Sequence, residues 1–227
     1  MDELSKYRIG SGLDAYCKIM SLYKSVDVSK NANFQRTFNY FYRVRRNEQW
    51  RKIYYDIFQR LRYKDTSFDE IITEIFEKTG RVEASFSSKM LATINPNMPI
   101  WDQYVLEKLG IRTGYQYTNK NKQLEDAKAN YKMIVNWYKQ NLTDERISEF
   151  DKAFPNFKDI NATKKIDFLL WGIRNDDLAT IDNNIEPTNL INNEISKIKK
   201  IINEHKMTDD QLSATIEALE DLIKYIS

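Results

Sequence analysis

Apolar residues recur at steps of three and four along most of this chain, and the residues that interrupt such a pattern are scarce. Its 227 residues include six glycines and four prolines. Turn-rich β architectures need more of both, so the combination points to a helical fold. "SFDEIITEIFEKTG" holds a whole helix in miniature. Ser67 and Glu70 form a capping box, Ile71, Ile72, Ile75 and Phe76 share a face, and Gly80 stops it. In "NKQLEDAKANYKMIVNWYKQNL" the positions Leu124, Ala127, Tyr131, Ile134 and Tyr138 trace a second amphipathic helix. "TKKIDFLLWGIR" predicts a short buried one, with Thr163 as its cap. No alternation longer than a short strand interrupts them, and the expected class is all-α.

Hydrophobic residues make up 41% of the chain and aromatics 13%, enough to fill a core rather than leave a disordered coil. No run of 18 uninterrupted apolar residues occurs, and Met1–Gly10 is polar and charged. No membrane span or secretory signal is therefore expected, and the cytoplasm is the expected location. One cysteine, Cys17, and one histidine, His205, exclude a disulfide framework, a histidine-based triad, the usual zinc sites and haem attachment. No glycine-rich phosphate loop is present. No metal and no cofactor are expected. Any chemistry falls to Lys, Asp, Glu, Tyr or Ser.

Charge divides the chain. Asp176–Ser227 holds five Lys/Arg and eleven Asp/Glu, a balance of −6; the preceding residues hold thirty and twenty-two, a balance of +8. In the acidic part, Ile191, Ile195, Ile198 and Ile202 keep helical steps. Leu212, Ile216, Leu219, Ile223 and Ile226 do the same after a Thr208–Gln211 capping box. The expected organisation is a helical domain over 1–175, a linker over 176–189 opened to the next helix by Pro187, and an acidic helical hairpin over 190–227. That hairpin is expected to dock on the body, pair with a second copy as a homodimer, recruit a partner, or cover the basic surface as a DNA mimic.

The basic charge is concentrated. Gln35–Lys64 carries nine Lys/Arg against Glu48 and Asp56, interleaved with Phe38, Tyr40, Phe41, Tyr42, Trp50, Tyr54, Tyr55 and Phe58. Aromatics at helical spacing read first as core. As a helix the stretch puts Phe34, Phe38 and Phe41 on one face and Arg43, Arg45 and Arg46 near its end, where the arginine cluster suits phosphate contacts.

One stretch breaks the helical monotony: "SFSSKMLATINPNMPIWDQYV", from Ser85 to Val105. Ser85, Ser87 or Ser88 can cap a helix whose apolar face is Met90, Leu91 and Ile94. Pro96 and Pro99 end it, and Asp102 sits at the start of "QYVLEKLG", which Gly110 closes. On these residues alone, Lys89 reads as a solvated lysine and Asp102 as a helix cap.

A lysine in the helix after a tight hairpin, followed by Pro-hydrophobic-x-Asp at the next helix, resembles the helix-hairpin-helix DNA glycosylases. The segment is most similar to bacterial proteins with an 8-oxoguanine DNA glycosylase fold. "FNYFYRVRRNEQWRKIYYDIF" and "KKIDFLLWGI" look like further parts of that pattern, so the resemblance spans roughly residues 30–175.

It implies a DNA glycosylase, with or without AP-lyase activity, that flips a damaged or modified base out of double-stranded DNA. Lys89 would be the nucleophile and Asp102 the carboxylate assisting at the sugar. Arg43, Arg45, Arg46, Arg51, Arg81, Ser87 and Ser88 would contact DNA, and Trp101 and Trp171 would line the base pocket. The hairpin "TGRVEASFSS" offers Gly80 where such proteins carry Gly-x-Gly. This keeps open a catalytically inactive DNA-binding module of the same fold, beside an interaction protein that works through its C-terminal hairpin. A role in repair and one in phage defence both fit.

Overall fold

The computed structural model describes residues 3–111 and 118–172. The chain divides into two units, Met1–Asn175 and Asp176–Ser227. The second unit, with its expected linker, acidic hairpin and His205, lies outside the described residues.

The described residues form nine α-helices and no strand: α1 (Glu3–Ser25), α2 (Ala32–Phe41), α3 (Glu48–Leu61), α4 (Phe68–Thr79), α5 (Ala84–Ile94), α6 (Gln103–Lys108), α7 (Lys120–Asn141), α8 (Asp144–Ala153) and α9 (Ala162–Gly172). A 3-10 turn, Pro155–Phe157, precedes α9. The all-α expectation holds here. None of these helices is long and apolar enough to cross a membrane.

Local chemistry places most boundaries. Asn31 caps α2 by accepting the Phe34 N–H, Asn47 caps α3 by accepting that of Trp50, and Thr143 caps α8. The Ser67–Glu70 capping box is reciprocal, and Gly80 ends α4 at φ 66°, a left-handed turn that glycine adopts without a Cβ clash. The cap of α9 is Asn161 rather than Thr163. Asn161 Oδ1 accepts the Thr163 N–H, which places Thr163 inside the first turn.

Packing follows the faces. α1 lies against α2 and α9, α4 against α3, α5 and α7, and α9 also against α6 and α8. Ile9, Leu13, Tyr16, Ile19 and Tyr23 give α1 a buried stripe. Leu124, Ala127, Tyr131, Ile134 and Tyr138 are buried along α7, as their spacing predicts. Gly12 makes room for α9: a Cβ there would stand 3.0 Å from the Phe168 ring. The centre of the fold is aromatic. The Phe38 ring has Phe34, Tyr42, Tyr54, Tyr55 and Phe58 around it, with centroids 4.7 to 6.2 Å away. Edge and tilted packing of this kind adds about 0.5–1.5 kcal/mol per pair beyond area burial. Most aromatics of the basic stretch are therefore core; Tyr40, 86% exposed, is not.

Candidate active site

α4 and α5 pack together across a four-residue connection, Gly80–Glu83. α5 begins at Ala84, with Glu83 in the N-cap position and no side-chain cap. The Glu83 carboxylate is used elsewhere. Arg46 grips it with two hydrogen bonds of 2.8 and 2.9 Å, and Arg81 Nε donates to it at 3.1 Å. Arg46 also lies over the Trp50 and Phe86 rings. Arg46, one of the arginines expected at DNA, thus holds the α2–α3 turn to the hairpin in a bidentate pairing that fixes geometry, while Arg81 bonds to Glu83 within the hairpin itself.

Because α5 starts a turn earlier than the serines suggest, Ser85, Ser87 and Ser88 lie inside the helix and cap nothing. Ser87 is fully buried and donates to the Glu83 carbonyl at 2.9 Å. Ser88, equally buried, donates to the Ser85 carbonyl and accepts the Trp101 backbone N–H at 2.7 Å. Neither hydroxyl is available to DNA, which corrects the expected contact set. What they do instead is hold the chain together.

Ser85 is the hinge of the site. Its hydroxyl donates to the Trp101 carbonyl at 3.1 Å and accepts from Lys89 Nζ at 2.9 Å. Ser85 and Ser88 together engage both backbone polar groups of Trp101, the residue before Asp102. The same connector is tied to α7, where Tyr131 OH donates to the Pro99 carbonyl at 2.8 Å. It is tied to α9 by Thr163 and Asn161 on Asn97. Asp102 leads directly into α6, its carbonyl accepting the Leu106 N–H at 3.0 Å, so its place at the helix start is as expected.

Lys89 is not a solvated lysine. It is 8% exposed, and its amine reaches neutral oxygens: Ser85 Oγ and, at 3.4 Å, the Tyr42 carbonyl. It lies over the Tyr42 and Phe86 rings, with centroids 5.7 and 5.5 Å away. Burial is the main reason its pKa falls from 10.5 to about 8; Asp102 pulls it back up, while Lys164 and Arg43 push it further down. The fold therefore brings Lys89 and Asp102 within electrostatic reach of each other. Arg43 belongs to the same neighbourhood, exposed in a turn where its φ is 53°. Arg45 is exposed and Arg51 half-buried.

The two tryptophans have different surroundings. Trp101 is 4% exposed and parallel to the Phe68 ring at 6.4 Å, part of the interior. Trp171, half-buried, closes a trio with Phe41 and Phe168 at 5.3 and 5.6 Å.

Sequence reasoning missed a second buried polar cluster. Lys164 and Asp167, each 2% exposed, form an ion pair within α9, and Tyr138 OH donates to the other Asp167 oxygen at 2.5 Å. Burial pushes the Asp167 carboxyl up, against the pull of Lys164, and Asp102 adds to the rise. The signal in the sequence was a Lys and an Asp three apart inside an apolar run. Among the described residues, no group of three His, Cys, Asp or Glu side chains is placed to hold a metal.

Comparison with known proteins gave no match, neither to a family model nor to a curated protein nor to a solved structure.

Proposed function

We propose that this protein is a DNA glycosylase of the helix-hairpin-helix type, with lyase capacity, in which Lys89 is the nucleophile and Asp102 the assisting carboxylate. One observation carries the reading: a buried lysine on the helix after a tight hairpin, its pKa drawn down to about 8, with an aspartate in electrostatic reach. At pH 7.5 about a quarter of such amines are neutral, against about one in a thousand for an ordinary lysine. A neutral amine attacks; an ammonium does not.

The step is a displacement at the anomeric carbon of a flipped nucleotide. The Lys89 Nζ lone pair forms the N–C1′ bond, the C1′–N glycosidic bond breaks, and its electron pair leaves with the base, which takes up a proton. Loss of a proton from nitrogen and opening of the C1′–O4′ bond then give a Schiff base. Oxocarbenium character at C1′ during departure is stabilised by the Asp102 carboxylate. Arg43 and Arg45 in the α2–α3 turn and Arg81 in the hairpin, all exposed, supply cations for phosphates.

The test is borohydride trapping on duplexes carrying 8-oxoguanine, uracil, an abasic site or modified cytosines. A covalent adduct, abolished in Lys89→Gln, is the expected result, and the substrate that forms it names the base class. Asp102→Asn should keep fold and DNA binding while losing turnover. Alkali-labile sites without an adduct would leave a glycosylase that lacks the lysine step. Salt-sensitive binding with neither signal would leave the inactive module.

A further inference from the structure

Ser85 stands between the buried amine and the connector, and its hydroxyl has one proton to give. The Trp101 carbonyl, 3.1 Å from Ser85 Oγ, can only accept. Lys89 Nζ, 2.9 Å from the same oxygen, donates as an ammonium, but once neutral it can also accept. The carbonyl and the neutral amine therefore compete for one hydroxyl proton. Given to Nζ, that proton would occupy the lone pair a nucleophile needs. Given to the Trp101 carbonyl, it leaves Ser85 Oγ to accept an N–H from the amine instead.

The other contact of Lys89 completes the count. A neutral amine has two N–H groups and one lone pair. Ser85 Oγ accepts one N–H, and the Tyr42 carbonyl, at 3.4 Å, accepts the other. Both acceptors are fixed in place. Ser85 lies one turn before Lys89 on α5, and Tyr42 ends α2 with its ring packed against Phe38 and Phe41. With both N–H groups engaged, the remaining tetrahedral position of Nζ, its lone pair, is directed away from both oxygens.

We propose that Ser85 is a positioning residue for Lys89: its hydroxyl, committed to the Trp101 carbonyl, takes an N–H of the amine and leaves the Lys89 lone pair open for attack. The connector that carries Asp102 thus also keeps the nucleophile unmasked, because it supplies the carbonyl that draws the Ser85 proton away. This rests on the reading of Lys89 as a nucleophile and deepens it. The charges that bear on the amine, Asp102 ahead of α6, Lys164 on α9 and Arg43 in the α2–α3 turn, stay in the chain when Ser85 is replaced. Replacing Ser85 therefore tests the hydroxyl by itself.

The experiment measures the amine without DNA. Trace acetylation of the full chain with acetic anhydride, followed across pH on the Lys89 peptide by mass spectrometry, gives two quantities: the pH at which the amine loses its proton, and its rate once neutral. Nζ attacks a carbonyl carbon, acetate leaves, and the proton passes to buffer. Ser85→Ala should slow the neutral amine about tenfold, within the hundredfold that a small misplacement costs. It should also shift the midpoint down, because the ammonium loses an acceptor. More of the amine is then neutral, and yet it reacts more slowly. A hydroxyl that only solvated the ammonium would give the lower midpoint with an unchanged rate. Ser85→Thr, which keeps the hydroxyl, should restore both quantities. An unchanged or raised rate for the neutral amine in Ser85→Ala overturns the proposal, and so does a Ser85→Thr that fails to recover it. Loss of the fold in Ser85→Ala, checked by circular dichroism, would make the hydroxyl a structural element alone and overturns it too. The two readings fail separately. A rate that depends on Ser85 without any adduct trapped on DNA removes the glycosylase and leaves the positioning; trapping with a rate indifferent to Ser85 does the reverse.

Discussion

Among the described residues three lysines are buried, and the fold treats two of them, Lys164 and Lys89, in opposite ways. Lys164 is matched to a carboxylate that a tyrosine also holds, so its charge is answered inside the protein. Lys89 bonds to a hydroxyl and a backbone carbonyl, groups that accept from an ammonium but do not neutralise it. Burial alone therefore does not make a lysine reactive. What decides is whether the fold supplies a counter-charge in contact or only at a distance.

The largest effect should come from breaking the matched pair. Lys164→Ala or Asp167→Ala leaves a buried charge alone and should cost about 3–5 kcal/mol, whereas Lys164→Met/Asp167→Leu should come close to neutral. Denaturant unfolding at pH 7 checks both. Equal losses for the single and double replacements would mean that packing, not charge, holds this region.

Next comes the unmatched lysine. Its folded pKa of about 8 lies below the unfolded 10.5, so the protonated amine is disfavoured by folding. That penalty is complete below pH 8 and is relieved as pH rises from 8 to 10.5. Lys89→Met should therefore be the more stable protein at pH 7, by on the order of 3 kcal/mol less what its two hydrogen bonds contribute. The gap should close toward pH 10.5. A gap independent of pH would remove Lys89 from the buried-amine class.

A smaller change tests the clamp between the two candidate catalytic groups. Ser88→Ala strands the Trp101 N–H in the interior and should cost about 1–3 kcal/mol. Any trapping activity should fall further than stability does, as Asp102 loses its anchorage. The smallest effect is expected at Arg43. Its exposed charge is screened by solvent, so Arg43→Gln should raise the pH at which the Lys89 amine loses its proton by only roughly a few tenths of a unit, read from its resonance in 13C-lysine-labelled protein.

Much of the scaffold was legible in the sequence because its causes are local. The Ser67–Glu70 box, the Gly80 stop and the α7 stripe each depend on residues a few positions apart. The site was legible only in part. Lys89 and Asp102 stood out through resemblance, while the burial that alters Lys89 depends on Tyr42, some 47 positions away in the chain. Ser87 and Ser88 misled because serine suits both a cap and a helix interior, and only the Trp101 N–H, thirteen residues on from Ser88, decides between them. Lys164 and Asp167 fell within a helix expected to be buried, with no role assigned to either. Their burial is a fact of how α9 meets α1 and α7, which no spacing within α9 records.

The connector that carries Asp102 has its own thermodynamic meaning. Tethered from α5, α7 and α9, the stretch from Asn97 to Trp101 loses its conformational freedom when the chain folds, not when a ligand arrives. Any ligand of this connector would meet a backbone already in place up to the residue before Asp102. The entropy of placing it is settled beforehand and does not diminish affinity or slow the encounter.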